Sequence, residues 1–401
     1  MKQFFAPYLA FMRLPDVALT LVMTWFARLP VGMTALSILL FMRESLGDFQ
    51  QAGGLVGAYF IAIAVSAPLE GRIIDRRGPR GVLLVTGAVQ PLAVLALFFA
   101  TRHHLPYPAL LAFAATAGLF SPPITILTRT VLRHRFHSDH ERHMAFSIDA
   151  VFMELTFTVG PSLVALIVTL SNPQIAYLVT ATAMAAATWI FLKSPALKYW
   201  KQEPPSERHF LGPLTDWRLV LQFALILGLT FCFGLMEVGY PAYAASLALP
   251  AFGGVLLTIN SLGSAIGGAL YGGLKLKLPP EQQFTWLLAL IALPLALHGL
   301  VDAHLPFAIV AFLAGAAIAP AIAVQSILVS KIAPAKYATE AFTWSSTFIV
   351  CGLGMGMATG GAVAEQWSAK SPFLLGSVVA GLMALLSATA FFNSKKKSGR
   401  D

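Results

Sequence analysis

Apolar residues in this chain fall in long unbroken runs, each near the ~20 residues that a bilayer core requires. Spanning runs are predicted at about 17–42, 53–70, 81–100, 108–131, 145–170 and 173–192. Six more follow at about 219–245, 250–274, 284–303, 306–332, 340–366 and 372–392. Between the two sets, the stretch 193–218 is polar, rich in proline and charge, and reads as a linker. The pattern predicts an all-α membrane protein of twelve transmembrane helices: an N-terminal six-helix bundle over 1–192, a cytoplasmic linker over 193–218 and a C-terminal six-helix bundle over 219–401. Residues 1–16 form a short amphipathic lead without the small-residue cleavage site of a secretory signal, so they stay with the mature chain.

The basic residues orient this arrangement. With both termini cytoplasmic, only Arg43, Arg102 and Lys370 fall in outer loops, while Arg28 and Arg129 lie within or at the edge of spans. Every other lysine and arginine is then inside, as the positive-inside bias demands. The expected location is a bacterial plasma (inner) membrane, crossed many times.

Composition agrees. With 57% hydrophobic residues, 11% charged residues and a mean hydropathy of +0.74, the chain has too little polar surface for a soluble protein of its length. The formal charge of +9 does not imply a nucleic-acid partner, because the charges sit in short loops between apolar runs. Cys232 and Cys351 lie inside such runs, far apart, and read as small buried hydrophobes.

The two halves repeat one another. Ala117-Gly118 through Pro123, then Ala145 and Gly160, recur as Ala314-Gly315 through Pro320, then Ala341 and Gly356. The offset is 197 residues at the first glycine and 196 at the second, which is what two parallel six-helix bundles related by an axis along the membrane normal leave in sequence.

The densest charge cluster is Gly71 to Arg80, where four arginines and Asp75 are expected in a tight turn between the second and third runs. Gly71 and Gly78 are expected to let backbones approach closely or to supply a positive φ. Gly71, Asp75, Arg76, Gly78 and Arg80 resemble the Gly-x-x-x-Asp-Arg-x-Gly-Arg signature that major facilitator superfamily transporters carry between their second and third helices. Pro79 departs from it, moving the last basic residue one position on. Gly160-Pro161 resembles the Gly-Pro pair of that superfamily's drug:proton antiporters, without the glycines that should flank it. The resemblance implies two pseudo-symmetric six-helix bundles working by alternating access. It also implies that Arg76 and Arg80 meet acids of the other bundle, Glu340 first, when the cytoplasmic side is closed.

Polar residues inside spans mark function, since each costs free energy unless paired or wetted. At about 1.5 Å of rise per residue, Arg28 lies about 16 Å deep in the first span and Glu154 about 14 Å deep in the fifth. Matched depth predicts that they pair, either structurally or with Glu154 exchanging a proton under the influence of Arg28; the other functional reading is that Arg28 meets an anionic group of the substrate. Arg129 and Asp149, equidistant from the loop joining the fourth and fifth spans, form a second expected pair near the cytoplasmic face. Glu237 precedes Pro241, expected to break the seventh helix and open a wet discontinuity around the acid. Asn260, Gln325 and Trp344 are candidate polar and aromatic substrate contacts. His134, His137, His140 and His143 recur every third residue but have no carboxylate or cysteine partner fixed in a span, so no metal is expected.

These readings converge on a secondary active transporter: proton-coupled efflux of small organic or amphipathic molecules, with Glu154 first and Glu237 second as coupling acid. A symporter or facilitator for a sugar, amino acid or organic anion is the alternative within transport, and a non-transporting membrane receptor or scaffold the alternative outside it. No nucleophile, metal or phosphate motif supports an enzyme. No cofactor is expected. The partners expected are a small-molecule substrate, the proton and the lipid bilayer, with the chain a monomer.

Overall fold

The computed structural model describes residues 12–14, 16–136, 139–200, 212–273, 277–334 and 338–398. Every regular element among them is helical. In chain order these are α1 (Val17–Leu46), α2 (Phe49–Arg77), α3 (Pro79–Arg102), α4 (Tyr107–Leu119), α5 (Ile124–Arg135), α6 (Asp139–Leu170) and α7 (Pro173–Lys193). After short 3-10 turns come α8 (Trp217–Ser246), α9 (Pro250–Gly273), α10 (Pro280–Leu297), α11 (His304–Ala316), α12 (Ile318–Ile332), α13 (Ala338–Gln366) and α14 (Ser371–Ser398). Among the described residues, eleven stretches are long and apolar enough to cross a membrane. The twelfth, α10, opens with Glu281, Gln282 and Gln283 and packs on α14 through Thr285–Ser387 (2.7 Å) and Ser377 to the Ala292 carbonyl (2.9 Å).

Two predicted spans are each divided. The fourth is α4 and α5, parted at Pro122-Pro123, where proline's missing N–H and fixed φ interrupt the ladder. The tenth is α11 and α12, with Ala317 between them. The break expected at Pro241 does not occur: α8 runs through it to Ser246. Neighbouring helices tolerate such a proline in a membrane helix, and Pro241 is packed so closely that a Cβ on Gly253 would come within 2.7 Å of its Cα.

The tight turn expected over Gly71–Arg80 shrinks to one residue. α2 continues to Arg77 and α3 begins at Pro79, leaving only Gly78, with φ +81°, to reverse the chain. Pro79 therefore occupies the first helical position, where its fixed φ suits and no N–H is needed. Gly71 is a correction: it lies within α2, and nothing stands within 4 Å of where its Cβ would be.

Short connections alternate the helices up and down, so each end of the molecule gathers its own residues. At the Gly47 end, Tyr107 Oη donates to the Gln51 carbonyl (3.1 Å), Tyr243 Oη to the Asp302 carbonyl (2.8 Å) and Lys370 Nζ to the Val301 carbonyl (2.7 Å). At the Gly78 end, the turn after α7 folds under the first half. Tyr199 reaches Asp16 (3.4 Å), the Arg135 guanidinium lies 4.6 Å over the Tyr199 ring, and Trp200 covers Gly78.

The sequence repeat is a repeat of helix crossings. Gly160 of α6 meets Gly32 of α1 so closely that a Cβ on Gly160 would lie 2.5 Å from the Gly32 carbonyl carbon, and Gly356 of α13 meets Gly234 of α8 in the same way, its Cβ 3.0 Å from the Gly234 Cα. Gly118 of α4 abuts the Tyr59 carbonyl of α2, while Gly315 of α11 abuts the Asn260 carbonyl of α9. Small residues let backbones touch where lipid supplies no hydrophobic drive.

The halves join along two seams. In one, α2 and α13 interlock through Gly53, Gly57, Gly354 and Gly361. In the other, α6 and α9 meet through Ser162–Thr258 (2.8 Å) and Ser261 Oγ donating to the Phe157 carbonyl (3.1 Å).

Candidate functional site: a buried charge cluster between α1, α5 and α6

Arg28 is completely buried, and its Nη2 lies 2.7 Å from Oδ1 of Asp149, itself 1% exposed. The pairing with Glu154 expected from depth is therefore corrected: Arg28 meets Asp149, and among the described residues Glu154 has no ion-pair partner. The reason lies in side-chain direction. Helical side chains lean toward their own N-terminus, and Arg28 folds back far enough for Nε to donate to the Thr24 carbonyl at 3.3 Å. Its head thus reaches α6 at Asp149, five residues or about 7 Å before Glu154.

The other face of Asp149 is taken by α5. Arg129 Nε donates to Oδ2 at 3.4 Å, which joins Arg129 and Asp149 as their spacing predicts. Arg129 is 57% exposed, so one carboxylate bridges a buried cation and an accessible one. Beside this cluster Trp25 stacks on Phe152 with ring centroids 6.0 Å apart. Trp25 lies three residues before Arg28 and Phe152 three after Asp149, so each aromatic shares a helix face with a charge.

Gly160 and Pro161 sit further along α6. Gly160 is the close-contact glycine of the α1 crossing, and the Pro161 carbonyl lies 3.1 Å from where a Cβ on Gly254 of α9 would be, at the seam between halves. Glu154 and Glu237 are half-buried within their spans, and neither has an ion-pair partner among the described residues.

Asn260 and Gln325 are spent on packing. Asn260 Nδ2 donates to the Ala311 carbonyl (2.9 Å) and to Tyr240 Oη (3.3 Å), clamping α8, α9 and α11 together. Gln325 is fully buried and exchanges hydrogen bonds with Ser345 of α13 at 3.1 and 3.3 Å. Trp344 is half-buried, 6.1 Å from Phe348. Arg76 and Arg80 are exposed, Glu340 is buried, and no ion pair among the described residues joins either arginine to Glu340 in this conformation. The side chain of Asp75 lies outside the described residues, as do His137 and the side chains of His140 and His143.

Two acids escaped the sequence reading. Glu70 on α2 is 8% exposed, with Oε1 wholly buried and without a hydrogen-bond donor. Glu365, at the end of α13, accepts from the Phe49 N–H across the halves at 2.8 Å. The signal for Glu70 was its position at the end of an apolar run, five residues before Asp75. A contact between residues 316 apart left none.

Helices of membrane length, halves repeated in their crossings and charges buried within spans define a polytopic helical membrane protein. A family model described as "Major Facilitator Superfamily" matches residues 20–301 and 238–401. The chain belongs to that superfamily. It is 24% identical over 340 residues to the multidrug resistance protein MdtG of Yersinia enterocolitica, covering 82% of this chain and 80% of that protein. Its fold matches the crystal structure of the nucleoside transporter NupG with a TM-score of 0.74 at 13% identity, over 94% of this chain and 99% of that one. It also matches a POT family transporter in complex with 5-aminolevulinic acid, with a TM-score of 0.69 at 14% identity, over 93% of this chain and 95% of that one.

Proposed function

We propose that this transporter exports small amphipathic organic molecules by alternating access, driven by protons entering through Glu154 and, second to it, Glu237. The observation that carries the reading is the placement of these two acids, one in each half. Both lie inside apolar spans, half-buried, with no cation among the described residues to hold them ionised. A carboxylate within a span must face the bundle interior or a water-filled path to be tolerated, and one left unpaired there is suited to gain and lose a proton. That Arg28 is engaged by Asp149 frees Glu154 from the cation that would otherwise hold its proton off.

The export direction draws on the likeness to a protein named for multidrug resistance. The two seams, one of glycines between α2 and α13 and one of serine and threonine contacts between α6 and α9, supply surfaces along which one half can rock against the other. The distribution of lysine and arginine supports an inner-membrane protein with both termini in the cytoplasm, and the polar stretch after α7 supports a division into bundles at 193–218.

The test is Glu154→Gln in proteoliposomes with an imposed pH gradient. It should abolish gradient-driven accumulation of a fluorescent amphipathic substrate while sparing equilibrium exchange. If Glu154→Gln still concentrates substrate and Glu237→Gln does not, coupling belongs to α8. If neither substitution matters, proton coupling through these acids is wrong, and a facilitator for polar solutes becomes the better reading.

A further inference from the structure

The Arg28–Asp149–Arg129 cluster holds two guanidinium groups against one carboxylate, within the membrane-spanning part of α1, α5 and α6. Neither arginine meets a second acid among the described residues, Glu154 included. The imbalance is greatest at Arg28. Its Nε donates to the Thr24 carbonyl and its Nη2 is held by Asp149 at 2.7 Å, which leaves Nη1 buried without an acceptor. Buried guanidinium donors are expensive to leave uncommitted.

Two further buried donors on the same helix are also uncommitted: the Trp25 indole N–H and the Thr20 hydroxyl. Trp25 stacks on Phe152 next to the charges, giving the cluster an apolar, aromatic flank. Arg129 supplies the way in, because an arginine this exposed on a spanning helix is tolerated where water reaches it.

We infer that this cluster is a subsite for the anionic head of an amphipathic substrate: a carboxylate or comparable monoanion on an aromatic or apolar body. The head is drawn in by Arg129 and held by Nη1 of Arg28, and the body lies against Trp25 and Phe152. The inference rests on the exporter reading only in taking the ligand to be a transported molecule, and names its class. Charge-assisted hydrogen bonds set the expected discrimination at about tenfold to a hundredfold in affinity over an uncharged isostere.

The experiment is calorimetric titration of the full-length protein in lipid nanodiscs with naphthoate, neutral naphthamide and cationic naphthylmethylamine, with empty nanodiscs subtracted. Naphthoate should bind most tightly. Arg129→Gln should shrink the preference for acid over amide. The double variant Arg28→Met/Asp149→Leu, which removes both buried charges together and keeps Arg129, should shrink that preference further while naphthamide still binds. Equal binding of acid and amide to the wild type, strongest binding of the cation, or a preference undiminished in the double variant would each overturn the inference. Inorganic phosphate displacing naphthoate at equal concentration would mark an adventitious ion only and refute the amphipathic class. Should the double variant fail to fold, an unchanged preference in Arg129→Gln overturns the inference and a diminished one supports it. No proton gradient enters this measurement, so a failed accumulation assay leaves the subsite standing, and a failed preference leaves proton-coupled export standing.

Discussion

The carboxylate of Glu365, at the end of α13, accepts a hydrogen bond from the backbone N–H of Phe49, the first residue of α2, at 2.8 Å. One half of the transporter thereby caps a helix of the other. Gln366 donates to Gln50 alongside it at 3.3 Å. A carboxylate at a helix N-terminus satisfies an otherwise orphaned donor and opposes the positive end of the helix dipole. If the halves part at the Gly47 end, as alternating access requires, this contact between α2 and α13 must break.

Removing this cap should therefore favour opening at that end. Glu365→Ala is expected to shift the equilibrium by about 0.5–2 kcal/mol, the worth of a helix cap, or roughly twofold to thirtyfold. Spin labels at Ser171 and Leu249, exposed positions in opposite halves, should show a larger long-distance population in the variant. An unchanged distance distribution would mean that the cap has no part in gating.

The buried ion pair makes a second prediction about stability. Asp149→Asn alone strands the fully buried Arg28 and should cost about 3–5 kcal/mol, whereas Arg28→Met leaves Asp149 its contact with Arg129 and should cost less. The double variant Arg28→Met/Asp149→Leu should unfold at a higher temperature than either single variant. Additive losses in a double-variant cycle would show that the two side chains are not coupled.

Glycine substitutions should separate seam from surface. Gly160→Ala places a Cβ 2.5 Å from the Gly32 carbonyl carbon, and Gly315→Ala places one 1.9 Å from the Asn260 carbonyl oxygen, so both must force helices apart and lower thermal stability sharply. Gly71→Ala meets nothing within 4 Å and replaces glycine inside a helix, so it should be neutral or stabilising by about 0.5–1 kcal/mol. A Gly71→Ala protein as damaged as Gly160→Ala would refute the assigned difference in packing.

What could be read from the chain was whatever depends on composition and local pattern. Span positions came through because twenty apolar residues leave few alternatives to a membrane helix. Gly118 with Gly315, and Gly160 with Gly356, were visible as a repeat because close helix crossings tolerate little besides glycine. Charge pairing was legible only in part. Arg129 and Asp149 followed from spacing, but Arg28 was matched by Cα depth, which ignores a side chain long enough to fold back to the level of Thr24. Asn260 and Gln325 looked like ligand contacts because a polar residue in a span has to satisfy itself somewhere. Their partners, the Ala311 carbonyl and Ser345, are 51 and 20 residues away and leave no mark near them. Pro241 misled for a related reason, since its tolerance depends on how neighbouring helices pack around it.

Under the proposed mechanism the halves open alternately at their two ends. The most direct measurement pairs spin labels at Ser171 and Leu249 at the Gly47 end, and at Arg77 and Lys331 at the Gly78 end, in the same protein reconstituted into nanodiscs. Across a pH titration with and without substrate, the long-distance population at one end should rise as that at the other falls. Both ends widening together, or neither responding to protons or substrate, would contradict the account.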